Sequence, residues 1–265
     1  MRRFQVLSLV KSVVRSGLAT AGLEIHRTRT TKLPYVKRID ILDVTFDFWI
    51  ADEDAAVWYD SDIHKGFTEL EQYRRLVRPG DRVLEIGAHH GCSMLFLSSL
   101  VGSQGLIVSV EARPFNAMIA NAQIALNRAN NCKVLNAAAS DKPGTVLISD
   151  VSNGSIVPSG GIDTPAVTAD QLDAQFGPFT VLKIDVEGYE GAVLDGCRTI
   201  LQRSPRLMLE LHCPIVSRFG ITAQDVMHKI PNNYRGTMIL RSNRQVREFA
   251  GVLPDDIVNL FLWPN

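Results

Sequence analysis

Two short stretches of this 265-residue chain crowd ionisable side chains together. In "LKIDVEGYE", Lys183, Asp185 and Glu187 alternate, which puts them on one side of an extended chain, and Glu190 follows. In "LMLELH", Glu210 and His212 stand at the end of another apolar run. Carboxylates this close repel, so a proton, a cation or Lys183 must compensate them. Asp185, Glu187 and His212 are the candidates for general-base or acceptor-orienting work. The plainer reading puts Glu187 and Glu190 in the first turn of a helix, where acids favour the dipole. A divalent cation on Asp185, Glu187 and Glu210 is an alternative that hard oxygen ligands permit. No metal ligand is assigned.

A third stretch, "RVLEIGAHHG", runs from an apolar strand into a glycine turn. Gly87 permits a tight turn, and Gly91 allows close backbone approach near a helix start. The dinucleotide pattern G-x-G-x-x-G is absent, because Ala88 and His89 stand where its glycines would be. His89 and His90 are adjacent, so their side chains diverge and do not form a metal pair. Three acids fall at successive strand ends: Glu85, then Glu111 in "SVEARP", then Asp141 in "AAASDKPG". A carboxylate such as Glu111 has two acceptor oxygens and suits a ribose diol.

The elements that must position these groups alternate strand and helix from residue 67 onward. "RVLEI", "GLIVSVEA", "CKVLNAAA", "TVLKIDV" and "RLMLELH" read as near-continuous apolar strands. Helical stretches intervene, among them "FNAMIANAQIALNRAN" and "YEGAVLDGCRTILQ". Such βα units predict an α/β fold with a mostly parallel sheet covered on both faces. The final pair, "GTMILRS" and "IVNLFLWP", predicts a hairpin that leaves one antiparallel edge strand. Residues 145–178 are rich in Ser, Gly and Pro, a long insertion of the kind that is either functional or mobile.

Formal net charge is zero, but it is unevenly spread. Residues 1–38 hold nine basic residues and one acid, a net of +8, which leaves −8 on the rest. Val6, Leu7, Val10, Val13, Val14 and Leu18 follow helical spacing. An amphipathic N-terminal helix is therefore expected, packed on protein or lying peripherally on a membrane surface. The expected division is a basic helix with a small cap or hairpin over residues 1–66 and a Rossmann-like domain over 67–265. The four cysteines lack zinc spacing, which suits a reducing, cytoplasmic setting. With the basic residues on the head, no broad phosphate groove is expected and no nucleic-acid partner.

The stretches "VLEIGAHHG", "VSVEARP", "NAAASD", "LKIDVEGYEGAVLDG" and "LMLELH" together resemble the FkbM-type methyltransferases, a family of class I S-adenosylmethionine-dependent enzymes. The resemblance covers roughly residues 66–215. It implies a Rossmann-like sheet with S-adenosylmethionine as cofactor. It places Glu85, Gly87, Ala88 and Gly91 around the methionine and ribose, and Glu111 on the ribose diol. Ser140 and Asp141 would lie near adenine, and Asp185 would face the methyl group or acceptor. The family usually has Asp at position 85 and commonly Asn at position 89. The implied reaction is O-methylation of a hydroxyl on a sugar, glycolipid or secondary metabolite. The competing classes are a non-catalytic nucleotide-binding module and an NAD-dependent sugar-modifying enzyme. The latter lacks both its glycine turn and a Tyr-x-x-x-Lys base here.

Overall fold

The computed structural model describes residues 33–265, which form one compact unit. The expected N-terminal helix lies outside the described residues. The described part opens with a hairpin, β1 (Tyr35–Ile41) and β2 (Val44–Ile50). Its two-residue turn, Leu42–Asp43, has both φ angles positive, which matches the twist of antiparallel strands. Alternation buries Phe46, Phe48 and Ile50 on one face. Two basic residues of the N-terminal stretch fall here and meet acids: Lys37 lies 2.5 Å from Asp60 and Arg38 3.6 Å from Asp47.

A short helix, α1 (Glu53–Ala56), is capped by the Asp52 side chain, which accepts from the Ala55 amide at 2.8 Å. A turn of π-helix follows over Val57–Ser61, then α2 (Phe67–Leu76). The main sheet begins with β3 (Arg82–Ile86), α3 (Cys92–Val101), β4 (Leu106–Glu111), α4 (Pro114–Asn127) and β5 (Cys132–Asn136). A small second sheet contains β6 (Ala138–Ala139), β7 (Gly144–Ile148) and β8 (Ile162–Val167). Next come α5 (Ala169–Phe176), β9 (Val181–Asp185), α6 (Glu190–Asp195), α7 (Arg198–Gln202) and β10 (Arg206–His212). The chain continues through α8 (Ala223–Met227), β11 (Tyr234–Leu240), β12 (Val246–Glu248) and β13 (Ile257–Pro264).

The eight-stranded sheet has the order β12-β11-β13-β10-β9-β3-β4-β5. Pairings within β5-β4-β3-β9-β10 are parallel. Of these, β3, β4, β9 and β10 are buried on both faces, as their unbroken apolar character requires, while the edge strand β5 is only partly buried. The mostly parallel α/β fold expected from the sequence is therefore observed. An antiparallel edge strand is present, the three-residue β12. A second reversed strand, β13, inserts between β10 and β11, so the last apolar run is interior. Its residues Val258, Leu260 and Phe261 are almost wholly buried.

One face packs Leu84, Val108, Leu182 and Leu209 against α5, α6 and α7. The other packs Val83, Ile107 and Phe261 against α2, α3 and the β1–β2 hairpin. The hairpin shares the core of the main sheet, so the expected junction at residue 66 falls inside one unit. The exposed edge of β2 is covered by side-chain amides of α4. Gln123 pairs with the backbone N–H and C=O of Trp49, each at 3.0 Å. Asn127 does the same for Asp47, at 2.9 and 2.7 Å. A helical i,i+4 spacing thereby matches an i,i+2 strand spacing and satisfies the strand's free polar groups.

Candidate active site

Register gathers the acids. Glu85 pairs with both Ser109 and Lys183, and Asp185 pairs with Glu210. Parallel neighbours share a face, so these side chains meet at the carboxyl ends of β3, β9 and β10. In a doubly wound sheet, ligands bind at those ends.

The turn after β3 is fixed by contact with β9. Gly87 has φ +90°, and a Cβ there would lie 1.8 Å from the Asp185 carbonyl oxygen. Only glycine fits. His89 also has positive φ, at 50°. Its amide donates to Glu111 at 2.7 Å, and the Arg113 amide donates to the other Glu111 oxygen at 3.0 Å. Glu111 thus ties the first turn to the second while facing the cavity. Burial raises its pKa to about 6, and the two amides hold it from going higher.

Glu85 sits beneath this turn, fully buried. Its oxygens accept from Ser93 at 2.5 Å and Ser109 at 2.6 Å, and Lys183 Nζ lies 3.6 Å away. Lys183 also donates to the Gly87 carbonyl at 3.2 Å and lies 3.8 Å from Asp185. Burial alone would depress this ammonium, but Glu85 and Asp185 outweigh it and its pKa rises. The compensating charge required by the clustered acids is thus Lys183.

Above the turn, a cavity of about 200 Å³ is lined by Trp58, Tyr59, His89, Asp185, Glu187, Glu210 and Arg241. An adjoining slot shares Gly87, Glu111, Asn153 and Asp185 with it. The slot is floored by Ala137, Ala138, Ala139, Ile148 and Ile156. A larger hollow of about 750 Å³ lies at the opposite ends of the strands, beside Pro178–Thr180 and Arg203–Arg206, and none of the candidate residues reaches it.

The loop between β7 and β8 closes over the first cavity. Asn153 donates to Glu187 at 2.6 Å, and Ser152 lies 3.3 Å from His89 Nε2. Asn116 donates to the Ser152 carbonyl at 2.8 Å, and Arg113 grips Asp150 at 2.8 Å. His89 is held on its other side by Tyr59, at 2.7 Å, and its ring lies 4.9 Å from Trp58. Burial and the neighbouring His90 keep His89 well below the usual imidazole range.

His212 is buried behind Glu187. Its Nδ1 lies 2.7 Å from Glu190 and its Nε2 3.4 Å from Glu187. Burial pulls the imidazole pKa down, but the hydrogen bond to Glu190 and the carboxylates of Asp185 and Glu210 carry it to about 9. Glu210 is pushed well up by burial and by Asp185.

Gly87, Glu111, Asp185 and Glu187 are therefore brought together around one cavity, with His212 behind them. Glu85 and Ala88 lie beneath the turn, and Gly91 packs on Ala120 of α4. Ser140 is buried against Tyr189 at 3.2 Å, and Asp141 is exposed beyond it; neither lines the cavity. Asn153 and Arg241 line it without having been singled out in the sequence. The "SNG" turn within the Ser/Gly-rich insertion was the available signal for Asn153, and the end of an apolar strand was the signal for Arg241.

A doubly wound sheet with acids at successive strand tips and a covered cleft above them defines a nucleotide-cofactor-binding α/β enzyme class. The Methyltransferase FkbM domain family matches residues 85–242, and the chain belongs to that family. Among solved structures it is similar to cofactor-bound Rv0187 from MTB, 17% identical over 76% of this chain and 79% of that one, with TM-score 0.44. It is similar also to an O-methyltransferase from Bacillus cereus in complex with SAH, 14% identical over 77% and 81%, with TM-score 0.45. A putative rRNA-methylase from Clostridium thermocellum is 10% identical over 74% and 95%, with TM-score 0.47. No match is found among curated proteins.

Proposed function

We propose that this methyltransferase uses S-adenosylmethionine to methylate a hydroxyl on a small-molecule or glycan acceptor. The observation that carries this reading is the continuous cleft in which Glu111 faces the apolar slot and Asp185 borders both halves. The residues suit the cofactor. Ala137–Ala139 leave a flat apolar floor for a base, and Glu111 keeps spare lone pairs for a ribose diol. The bare Cα of Gly87 leaves room at the slot's edge.

S-adenosylmethionine, when bound, supplies a methyl group made electrophilic by its sulfonium. The chain's task is alignment of an acceptor oxygen with that carbon. Asp185 borders both halves of the cleft and is the carboxylate that would take the proton of an acceptor hydroxyl there. His212 stands behind Glu187, with its Nε2 3.4 Å from Glu187 Oε2, so its part in this reading is to position that carboxylate. Trp58 and His89 line the acceptor half with aromatic surface, while Glu187, Glu210 and Arg241 offer hydrogen bonds. A lining with four acidic side chains and one arginine suits hydroxyl-bearing acceptors better than a phosphate backbone. Among the described residues, no helix is long and apolar enough to cross a membrane.

The test is calorimetric titration with S-adenosylmethionine and, separately, NAD, on the wild type and on Glu111→Ala. Binding of S-adenosylmethionine alone, lost in the variant, is expected. Asp185→Asn should then retain cofactor affinity and lose turnover on hydroxylated acceptors. Binding of NAD alone would overturn the reading.

A further inference from the structure

The residues behind the cleft form a constellation that methyl transfer from a sulfonium does not itself require. One oxygen of Asp185, one of Glu187 and a ring nitrogen of His212 all lie within 4.8 Å of one another. His212 Nε2 and Glu187 Oε2 are 3.4 Å apart. Ligand atoms about 2.0–2.2 Å from a divalent ion stand about 3–3.5 Å from each other in tetrahedral or octahedral coordination. The separation is thus that of two ligands on one ion.

Two independent features point into this triangle. His212 is 1% exposed, and its Nε2 has no hydrogen-bond partner among the described residues. A buried ring nitrogen without a partner is costly unless something accepts or supplies its lone-pair interaction. Its other nitrogen, Nδ1, is held by the Glu190 carboxylate at 2.7 Å. A carboxylate behind a histidine is the arrangement that fixes the tautomer of a metal-binding imidazole and raises its basicity. The second feature is the division of labour on Glu187. Asn153 donates to its Oε1 at 2.6 Å, which leaves Oε2 turned toward His212.

We infer that Asp185, Glu187 and His212 form a binding site for a divalent transition-metal ion, with Glu190 as the positioning residue behind His212. One imidazole with two carboxylates selects a borderline ion such as Mn²⁺ or Zn²⁺ over Mg²⁺, which demands oxygen. Glu210, the third ligand suggested by the sequence alone, is instead engaged by Arg241 at 3.5 Å. The site opens on the acceptor half of the cleft, where an ion would leave positions free for an acceptor oxygen.

The test is titration of the full-length, cofactor-free protein with Mn²⁺, followed by loss of the free-ion electron paramagnetic resonance signal, and with Zn²⁺ by calorimetry. One equivalent is expected to bind. Glu187→Gln, at a partly exposed position that leaves the core intact, should weaken it at least about tenfold, and Glu190→Gln about 10–100-fold. His212→Ala should abolish it. Circular dichroism checks each fold, and if His212→Ala fails to fold, Glu187→Gln decides alone. No stoichiometric binding, or an affinity unchanged in Glu187→Gln, overturns the inference. Cofactor titration of the same samples is read separately, so metal binding can fail while S-adenosylmethionine binding stands, and the reverse.

Discussion

Glu111 illustrates how one side chain can tie a fold together and still face a cavity. Its two oxygens accept amides from His89 and Arg113, so it locks two turns, and it also faces the slot. Only the ionised form can accept two ribose hydroxyls as well. With its pKa raised to about 6 by burial, that form is complete above pH 7 and is lost as pH falls through 6. The dissociation constant for S-adenosylmethionine should be flat from pH 7 to 8.5 and rise about tenfold per unit at lower pH. Glu111→Gln should bind weakly with no such dependence. A wild-type profile flat to pH 5 would remove Glu111 from ribose recognition. Gly87 sets the opposite kind of constraint, one of space. In Gly87→Ala the new Cβ would meet the Asp185 carbonyl at 1.8 Å in a left-handed backbone, so β3 and β9 must part. A loss of about 3 kcal/mol or more in urea unfolding is expected, with cofactor binding lost.

At the scale of elements, the loop between β7 and β8 behaves as a flap tied by side chains. Asn153 to Glu187 is a solvent-exposed hydrogen bond, a kind that contributes about 0.5–1.5 kcal/mol. Asn153→Ala should release bound cofactor up to about tenfold faster in a stopped-flow experiment. The melting temperature should move little, because the bond is exposed. An unchanged release rate would show that the flap does not retain the ligand. The parallel strands around this site were legible because burial on both faces forces unbroken apolar runs. The gathering of Asp185, Glu111 and Gly87 around one cavity was legible because all three fall at strand tips, which a parallel sheet brings together at one edge. What escaped local reading was set by distant contacts. "YEGAVLDGCRTILQ" reads as one helix, yet it divides into α6 and α7 around Gly196, where a Cβ would lie 2.2 Å from the Ser140 carbonyl oxygen. The insertion of β13 between β10 and β11 is likewise a matter of sheet order, which alternation alone does not encode. The burial of Ser140 against Tyr189, away from the cavity, follows from the same packing.

At the scale of the molecule, the β1–β2 hairpin decides whether residues 33–265 unfold as one body. A free two-stranded hairpin is marginal in water. This one buries Ile39, Ile41, Phe46, Phe48 and Ile50 in a cluster that also contains Tyr73 of α2, Phe96 of α3, and Val83, Ile107 and Phe261 of the main sheet. The amides of Gln123 and Asn127 close its free edge onto α4. Neither the hairpin nor that face of the sheet can leave water behind without the other. Unfolding should therefore be a single transition in which Trp49, on β2, changes fluorescence at the same denaturant concentration as the far-ultraviolet dichroism of the whole chain. Phe48 is fully buried at the centre of this cluster. Phe48→Ala should cost about 3–5 kcal/mol and move both signals together. The informative comparison is with Trp49→Phe, which silences the hairpin's own signal and so separates it from those of Trp58 and Trp263. If the Trp49 contribution melts ahead of the dichroism, the hairpin is an independent cap. If they coincide, the aromatic wall formed by Trp58 and Tyr59, which follows directly after β2 and α1, takes its rigidity from the same core that holds the sheet.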